Sequence, residues 1–410
     1  MKKYVIIGNG TAAVGCIEGL RSVDKDGDII VISEEKHAVY SRPLISYYLE
    51  GKTDLERMKY RGDSFYDDNK CKVIYGKRAV SLGDGKKQVE LDDGSRLDYD
   101  ELCVATGSRP FVPPFEGLDS VQNKFNFMTL DDTLALEAKL TKDARVLIVG
   151  AGLIGLKCAE GILDRVKDIT VCDLAERVLS SILDAECAAV VQKHLETKGM
   201  KFMLGDTAVR FEKNQAYMKS GAVVPFDILV LAVGVRANTE LVKAANGNVN
   251  RGIVVDDKMQ TSIPSVYAAG DCAEGFDSSI GANRVLAILP NAYMQGHTAG
   301  VNMAGGDAAF DNAIPMNSIG FFGLHMMTAG AYDGEMIEEK TDGGMKRFFV
   351  KDGRLGGFIL IGETERAGIY TSLIREKISL DTIDFDLMKK VASNLIFSEK
   401  ERRKMFGDVV

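Results

Sequence analysis

Residues 146–160 read VLIVGAGLIGLKCAE, and residues 4–15 have already read YVIIGNGTAAVG. In both, a short apolar run meets a glycine-rich turn. Such a run bounded by glycine predicts a buried strand, and the residues after it predict a helix. In the first unit the turn is Gly8-Asn9-Gly10-Thr11-Ala12-Ala13. Gly8 permits a tight turn, Gly10 lets a pyrophosphate approach the backbone, and Ala13 lets the helix pack closely on the strand. The helix start then offers free N–H groups and a partial positive charge to phosphate. In the second unit Gly150-Ala151-Gly152-Leu153-Ile154-Gly155 repeats the pattern. A single glycine run of this kind is as often an ordinary turn into a helix. Two, each with a strand before and a helix after, predict a duplicated nucleotide-binding unit.

Each unit also ends its second strand on an acid. IIVIS is followed by Glu34, 26 residues after Gly8, where a carboxylate accepts from both ribose hydroxyls; Glu35 competes for that role. ITVCD ends at Asp173, 23 residues after Gly150. A carboxylate there repels a 2′-phosphate, so NAD is expected rather than NADP, with Arg177 as the counter-argument. One site is expected to take FAD and the other NADH, so that a hydride donor and a flavin acceptor are held together.

The 410 residues suffice for two or three domains. A formal charge of −8 argues against nucleic acid and anionic membranes as partners, since both need clustered Lys and Arg. The apolar run before Gly8 is too short for a signal-peptide core and no stretch approaches a membrane span, so a cytoplasmic location is expected. The seven cysteines are scattered, and Cys103 and Cys172 sit in apolar contexts where a thiol behaves as a small hydrophobe. The four histidines have no metal-ligand spacing, and no metal is expected.

Strands alternate with helices around both units, and glycine-rich short strands follow from about residue 313. The fold class expected is α/β: two Rossmann-like dinucleotide-binding domains plus a C-terminal α+β domain with an antiparallel sheet.

Four motifs in order, GNGTAA, ATGSRP, GAGLIG and VYAAGD, span roughly residues 1–310. Through them the chain resembles the two-dinucleotide-binding flavoproteins of the pyridine nucleotide-disulfide oxidoreductase fold. VYSRPLIS at 39–46 resembles the NADH:rubredoxin reductase and nitrite-reductase-type branch, while Met128 tilts the reading away from oxygenase-type reductases. The resemblance implies an FAD-binding domain at 1–110 and 241–312, a NAD-binding domain at 111–240, a C-terminal interface domain at 313–380 and a helical tail at 381–410. It further implies that Thr106 and Gly107 line FAD, that Asp271 bonds the ribityl chain, and that a helix from about Asn291 points at the flavin. Arg42 would meet FAD phosphate or flavin, with a surface ion pair as the rival reading, and Thr11, Ala12, Ala79, Leu153, Ile154 and Gly234 would complete the cofactor-binding set.

Two departures from that pattern shape the expected chemistry. HAVYSRPLISYY carries no cysteine where disulfide reductases and peroxidases of this fold keep theirs, so a thiolate relay is not expected. A Lys–Glu pair that many relatives place beside the flavin is replaced by Tyr47 and Lys157, which suggests that Lys157 lies near the nicotinamide with Tyr47 opposite. The plain alternative is a solvent-facing helix lysine. Without a thiol, electrons are expected to pass to an iron–sulfur protein: rubredoxin, a ferredoxin-like protein or an iron–sulfur subunit; a homodimer or a place as subunit of a larger redox complex are the assemblies considered for the chain itself. The tail from Lys400 through Arg402, Arg403, Lys404, Met405 and Phe406 is one candidate docking patch. An NADH oxidase using oxygen and a redox-sensing flavoprotein are the alternative functions.

Overall fold

The computed structural model describes residues 1–83, 85–341 and 344–406. Tyr4–Ile7 are all buried, as the central strand of a parallel sheet covered on both faces must be. The Lys3–Ile7 strand lies at the centre of a five-stranded parallel sheet, between Asp28–Ser33 and Glu101–Val104, with Cys71–Tyr75 and Val266–Ala268 outermost. Arg145–Val149 is likewise central to a second parallel sheet, between Asp168–Asp173 and Ile228–Leu231, with Lys201–Leu204 and Lys124–Phe125 outermost. In both sheets the chain winds one way from the central strand and later returns on its other side. This reversal opens a crevice at the carboxyl ends of the strands, directly over each glycine turn.

The duplication runs deeper than the glycine turns. After the third strand of each sheet comes a glycine with positive φ, Gly76 at +66° and Gly205 at +69°. The next residue bonds back to the second strand: Lys77 N–H to Ser33 O and Asp206 N–H to Asp173 O, both 3.0 Å. A three-stranded antiparallel sheet then begins at Ala79 or Ala208, each with a register shift within two residues of its start.

The Thr11–Val23 helix packs against Leu289–Met303 at backbone contact. A Cβ on Gly296 would lie 2.0 Å from Ala12 O, and one on Gly300 would lie 2.1 Å from Cys16 O. Glycines four apart put both close approaches on one helix face. The two helices are thereby held in a single relative position, and so are their N-termini.

By its contacts the chain divides into two units: Met1–Gly275 with Leu289–Phe310, and Phe276–Ile288 with Asp311–Val410. Both parallel sheets belong to the first. The second contains a five-stranded antiparallel sheet in the order Met316–Phe321, Leu324–Gly330, Arg354–Ile361, Gly344–Lys351, Glu335–Thr341. Its core is Phe348 and Phe358, both edge-on to Tyr370 of the Gly368–Arg375 helix. A Glu399–Phe406 helix ends the described residues, and in it Arg403 is engaged by Glu399 at 2.8 Å. The side chains of Lys404, Met405 and Phe406 lie outside the described residues. No helix among the described residues is long and apolar enough to cross a membrane.

Candidate functional site

The first turn has the features a dinucleotide phosphate needs. Gly8 adopts φ +110°, and a Cβ there would lie 2.0 Å from Ala105 O, so only glycine fits. At Gly10, by contrast, a Cβ would meet nothing within 4 Å. The helix that follows has no side-chain cap and no acid in its first turn. The Leu130–Glu137 and Ala185–Thr197 helices are capped by Thr129 and Asp184. Beside the open turn, Asn9 accepts from Tyr66 OH at 2.6 Å through Oδ1, while its buried Nδ2 has no acceptor among the described residues. An unsatisfied buried donor costs about 1–3 kcal/mol, which an anion can offset. Backbone donors, an amide donor and empty space therefore meet at one point.

The structure separates the two candidate ribose acids. Glu34 is exposed, just beyond the Asp28–Ser33 strand, and its carboxylate makes no hydrogen bond or ion pair among the described residues. Glu35 accepts from Tyr40 OH at 2.7 Å and pairs with Arg42 Nη2 at 2.6 Å. Arg42 also donates to Met128 O at 3.1 Å. The Lys77 bond to Ser33 sets the strand beginning at Ala79 beside the same edge.

Where the two parallel sheets are joined, Ser108–Pro110 pairs antiparallel with Val235–Ala237. Thr106 Oγ1 donates to Asn238 O at 2.8 Å, and Asn238 Nδ2 returns a bond to Thr106 O at 2.9 Å. Gly107 and Gly234 both take positive φ at this crossing, +64° and +109°. Asp271 accepts a single 3.2 Å bond from Ser108 Oγ. Burial raises its pKa, with Ser108 and the Arg42 charge opposing. Asn291 is fully buried in the first turn of Leu289–Met303, and Gln295 of that helix accepts from Gly270 N–H at 2.9 Å.

Asp271→Asn makes a direct test. A carboxyl whose folded pKa is raised is charged at a stability cost above that pKa and at none once protonated. The variant apo-protein is expected to melt higher than wild type at pH 7, to lose that gain near about pH 4, and to bind FAD more weakly. Calorimetry with a flavin-binding titration reads all three; an apo-protein less stable at pH 7 contradicts the strain.

The second turn repeats the first. Gly150 has φ +117° and Gly152 opens on empty space, whereas a Cβ on Gly155 would meet Gly150 O at 2.0 Å. Leu153 and Ile154 stand half-buried at the start of the uncapped Leu153–Ile162 helix. Asp173 lies against the turn and accepts Ala151 N–H at 2.7 Å and Ala175 N–H at 2.8 Å. Arg177 bonds carbonyls of its own loop, Leu183 O at 3.2 Å and Ser180 O at 3.4 Å. Two of its nitrogens are thus engaged within the loop, which leaves fewer donors for a 2′-phosphate. Ala208 escaped the sequence reading, although Gly-x-x-Ala-Val recurs at 76–80 and 205–209.

Lys157 is not a solvent-facing helix lysine: its side chain is 19% exposed. The Leu153–Ile162 helix packs on Leu44–Leu49, where a Cβ on Gly161 would come 2.7 Å from Ser46 O. That contact puts Lys157 Nζ 4.7 Å from the Tyr47 ring centroid. The ammonium also ion-pairs with Glu160, whose side chain is 5% exposed. Glu160 was not singled out from sequence, although its place one helical turn from Lys157 was the available signal.

Cys272 and Cys172 are poor nucleophiles. Cys272, adjacent to Asp271, is within 3.3 Å of Val104 O and Ala269 O, and burial pushes its thiol up to about 11. Burial likewise pushes Cys172 up to about 12. Neither is a thiolate at neutral pH.

Comparison with known proteins matches residues 2–296 to the family described as pyridine nucleotide-disulphide oxidoreductase. The NADH-dependent phenylglyoxylate dehydrogenase subunit epsilon of Aromatoleum evansii is 33% identical over 394 residues, covering 92% of each chain. An assimilatory nitrate reductase electron transfer subunit of Bacillus subtilis (strain 168) is 29% identical over 92% of this chain, which spans 50% of that relative's length. Among solved structures, a chain of the covalent putidaredoxin reductase–putidaredoxin complex superposes with TM-score 0.88 at 25% identity, covering 96% of this chain and 97% of that one.

Proposed function

The chain belongs to the pyridine nucleotide-disulphide oxidoreductase family, whose members bind FAD and NAD(H), and on that premise we propose that it exchanges electrons between NADH and an iron–sulfur protein in the cytoplasm. The carrying observation is the pair of open glycine turns, each with its own carboxylate, in a chain whose 37–48 segment has no cysteine. When bound, FAD supplies an acceptor that takes two electrons together and can release them singly.

On this reading Gly8, Gly10, Thr11 and Ala12 receive the FAD phosphates and Glu34 accepts from the ribose. Ala79 borders the adenine edge. Arg42, Thr106, Gly107 and Asp271 hold the rest of FAD, and the helix carrying Asn291 turns its positive end toward the ring, where negative charge builds on reduction. Gly150, Gly152, Leu153, Ile154 and Gly155 receive NADH, with Asp173 on its ribose and Gly234 at the crossing. Lys157 and Tyr47 sit where the two halves meet, and positioning is the main demand of the reaction. Likeness to a subunit and to a reductase solved with putidaredoxin supports a protein partner.

Under anaerobic conditions NADH, and not NADPH, is expected to bleach the bound FAD, and the reduced protein to reduce rubredoxin or a ferredoxin on mixing. Failure of NADH to bleach overturns the reading. Oxygen consumption as fast without a carrier as with one identifies an NADH oxidase instead.

A further inference from the structure

The 35–42 loop is fastened through one carboxylate to the segment that follows Lys124–Phe125, the edge strand of the second parallel sheet. Glu35 Oε2 accepts from Tyr40 OH at 2.7 Å, and the same phenol accepts Leu130 N–H at 2.9 Å. Glu35 Oε1 takes Arg42 Nη2 at 2.6 Å, while Arg42 Nη1 donates to Met128 O at 3.1 Å. Burial pushes the Tyr40 phenol well above its ordinary range, so it stays a donor at any working pH. Arg42 is thus gripped at both terminal nitrogens, with Nε and the outer N–H groups left over, and its side chain is 40% exposed. Its charge reaches Asp271.

From this geometry we propose that Glu35 is a positioning residue: it holds the Arg42 guanidinium in the one orientation in which the remaining N–H groups serve FAD. The proposal rests on the FAD reading above and deepens it. A free arginine has several rotatable bonds to freeze on binding, whereas a planar guanidinium already fixed by a carboxylate and a carbonyl binds at little entropic cost. Glu34 and Glu35, neighbours in sequence, therefore do different work: Glu34 meets the ligand and Glu35 meets the residue that meets it.

The test is a set of FAD titrations of the apo-protein. Glu35→Gln keeps an acceptor for Tyr40 OH and loses the charge on Arg42; it is expected to weaken FAD binding about tenfold. Arg42→Gln is expected to weaken it at least as much, and the double variant no more than Arg42→Gln alone, because Glu35 acts only through Arg42. Glu34→Gln combined with Arg42→Gln is expected to multiply the two losses. Glu35→Asp keeps the charge and should recover part of the affinity. Affinity for NADH, bound at the other turn, should be unchanged in Glu35→Gln, which separates positioning from general unfolding.

Unaltered FAD affinity in Glu35→Gln, or multiplying effects of Glu35→Gln and Arg42→Gln, overturns the proposal while leaving the functional reading intact. A wild-type protein that takes up no FAD overturns both.

Discussion

Gly10→Val is expected to yield a folded, colourless protein, and Gly152→Val a yellow one that NADH no longer reduces. The argument is steric and specific to these two glycines. Gly10 has φ −107° and ψ −165°, and Gly152 has φ −82° and ψ −173°, extended conformations that valine adopts without strain. A Cβ at either position meets no protein atom within 4 Å. The fold therefore tolerates the side chain, and what it fills is the open space over an uncapped helix start, which the proposed function assigns to phosphate. Losing close approach to several backbone N–H groups should weaken the affected nucleotide on the order of 100-fold. Gly8→Val and Gly150→Val make the contrast: their Cβ atoms would strike Ala105 O and Ala232 O at 2.0 and 2.2 Å, so these variants should misfold. Absorbance at the flavin bands, circular dichroism and NADH titration read all four. A yellow Gly10→Val protein would sink the assignment of the first turn to FAD.

Lys157→Met is expected to lose stability before it reports anything about electron transfer. It removes the cation that neutralises Glu160, whose side chain is only 5% exposed. Taking one partner from a buried pair costs about 3–5 kcal/mol, and the lower end applies because Lys157 is itself partly exposed and Lys52 lies near Glu160. In a unit of this size that is a fall in Tm of about 5 °C. Replacing both charges with apolar groups of similar volume is often neutral, so Lys157→Met/Glu160→Leu should melt near wild type. Stopped-flow reduction of that double variant by NADH then isolates the role of the ammonium over Tyr47. A rate about tenfold below wild type supports a part in holding the nicotinamide; an unchanged rate leaves Lys157 as a clamp between the two helices. A Lys157→Met protein as stable as wild type would mean that the pair is not buried in solution.

The family, the two glycine turns and the lack of cysteine in residues 37–48 were legible in the chain itself. Each depends on short-range constraints: a positive φ that only glycine tolerates at Gly8 and Gly150, an apolar run that must be covered on both faces, and an acid one strand-length beyond. These act within some thirty residues and leave marks at regular spacing. The four ordered motifs added the resemblance, and the comparisons bear it out.

What only the tertiary structure decided is the disposition of side chains whose partners lie far along the chain. Glu34 and Glu35 are chemically alike and adjacent, and only the folding of Tyr40 and Arg42 back over the second of them gives the two different surroundings. Arg177 was a plausible phosphate ligand until its loop curled to present Leu183 and Ser180 carbonyls. Lys157 met Tyr47, 110 residues earlier, because Gly161 lets one helix settle against the other's backbone. Asp271 stands half-buried with one long hydrogen bond, from Ser108, and partial desolvation raises its pKa. Backbone conformation is set locally, so sequence spacing reports it. A charge acquires its partner, its burial and hence its chemistry from whatever packs beside it, and that is settled only when distant segments meet.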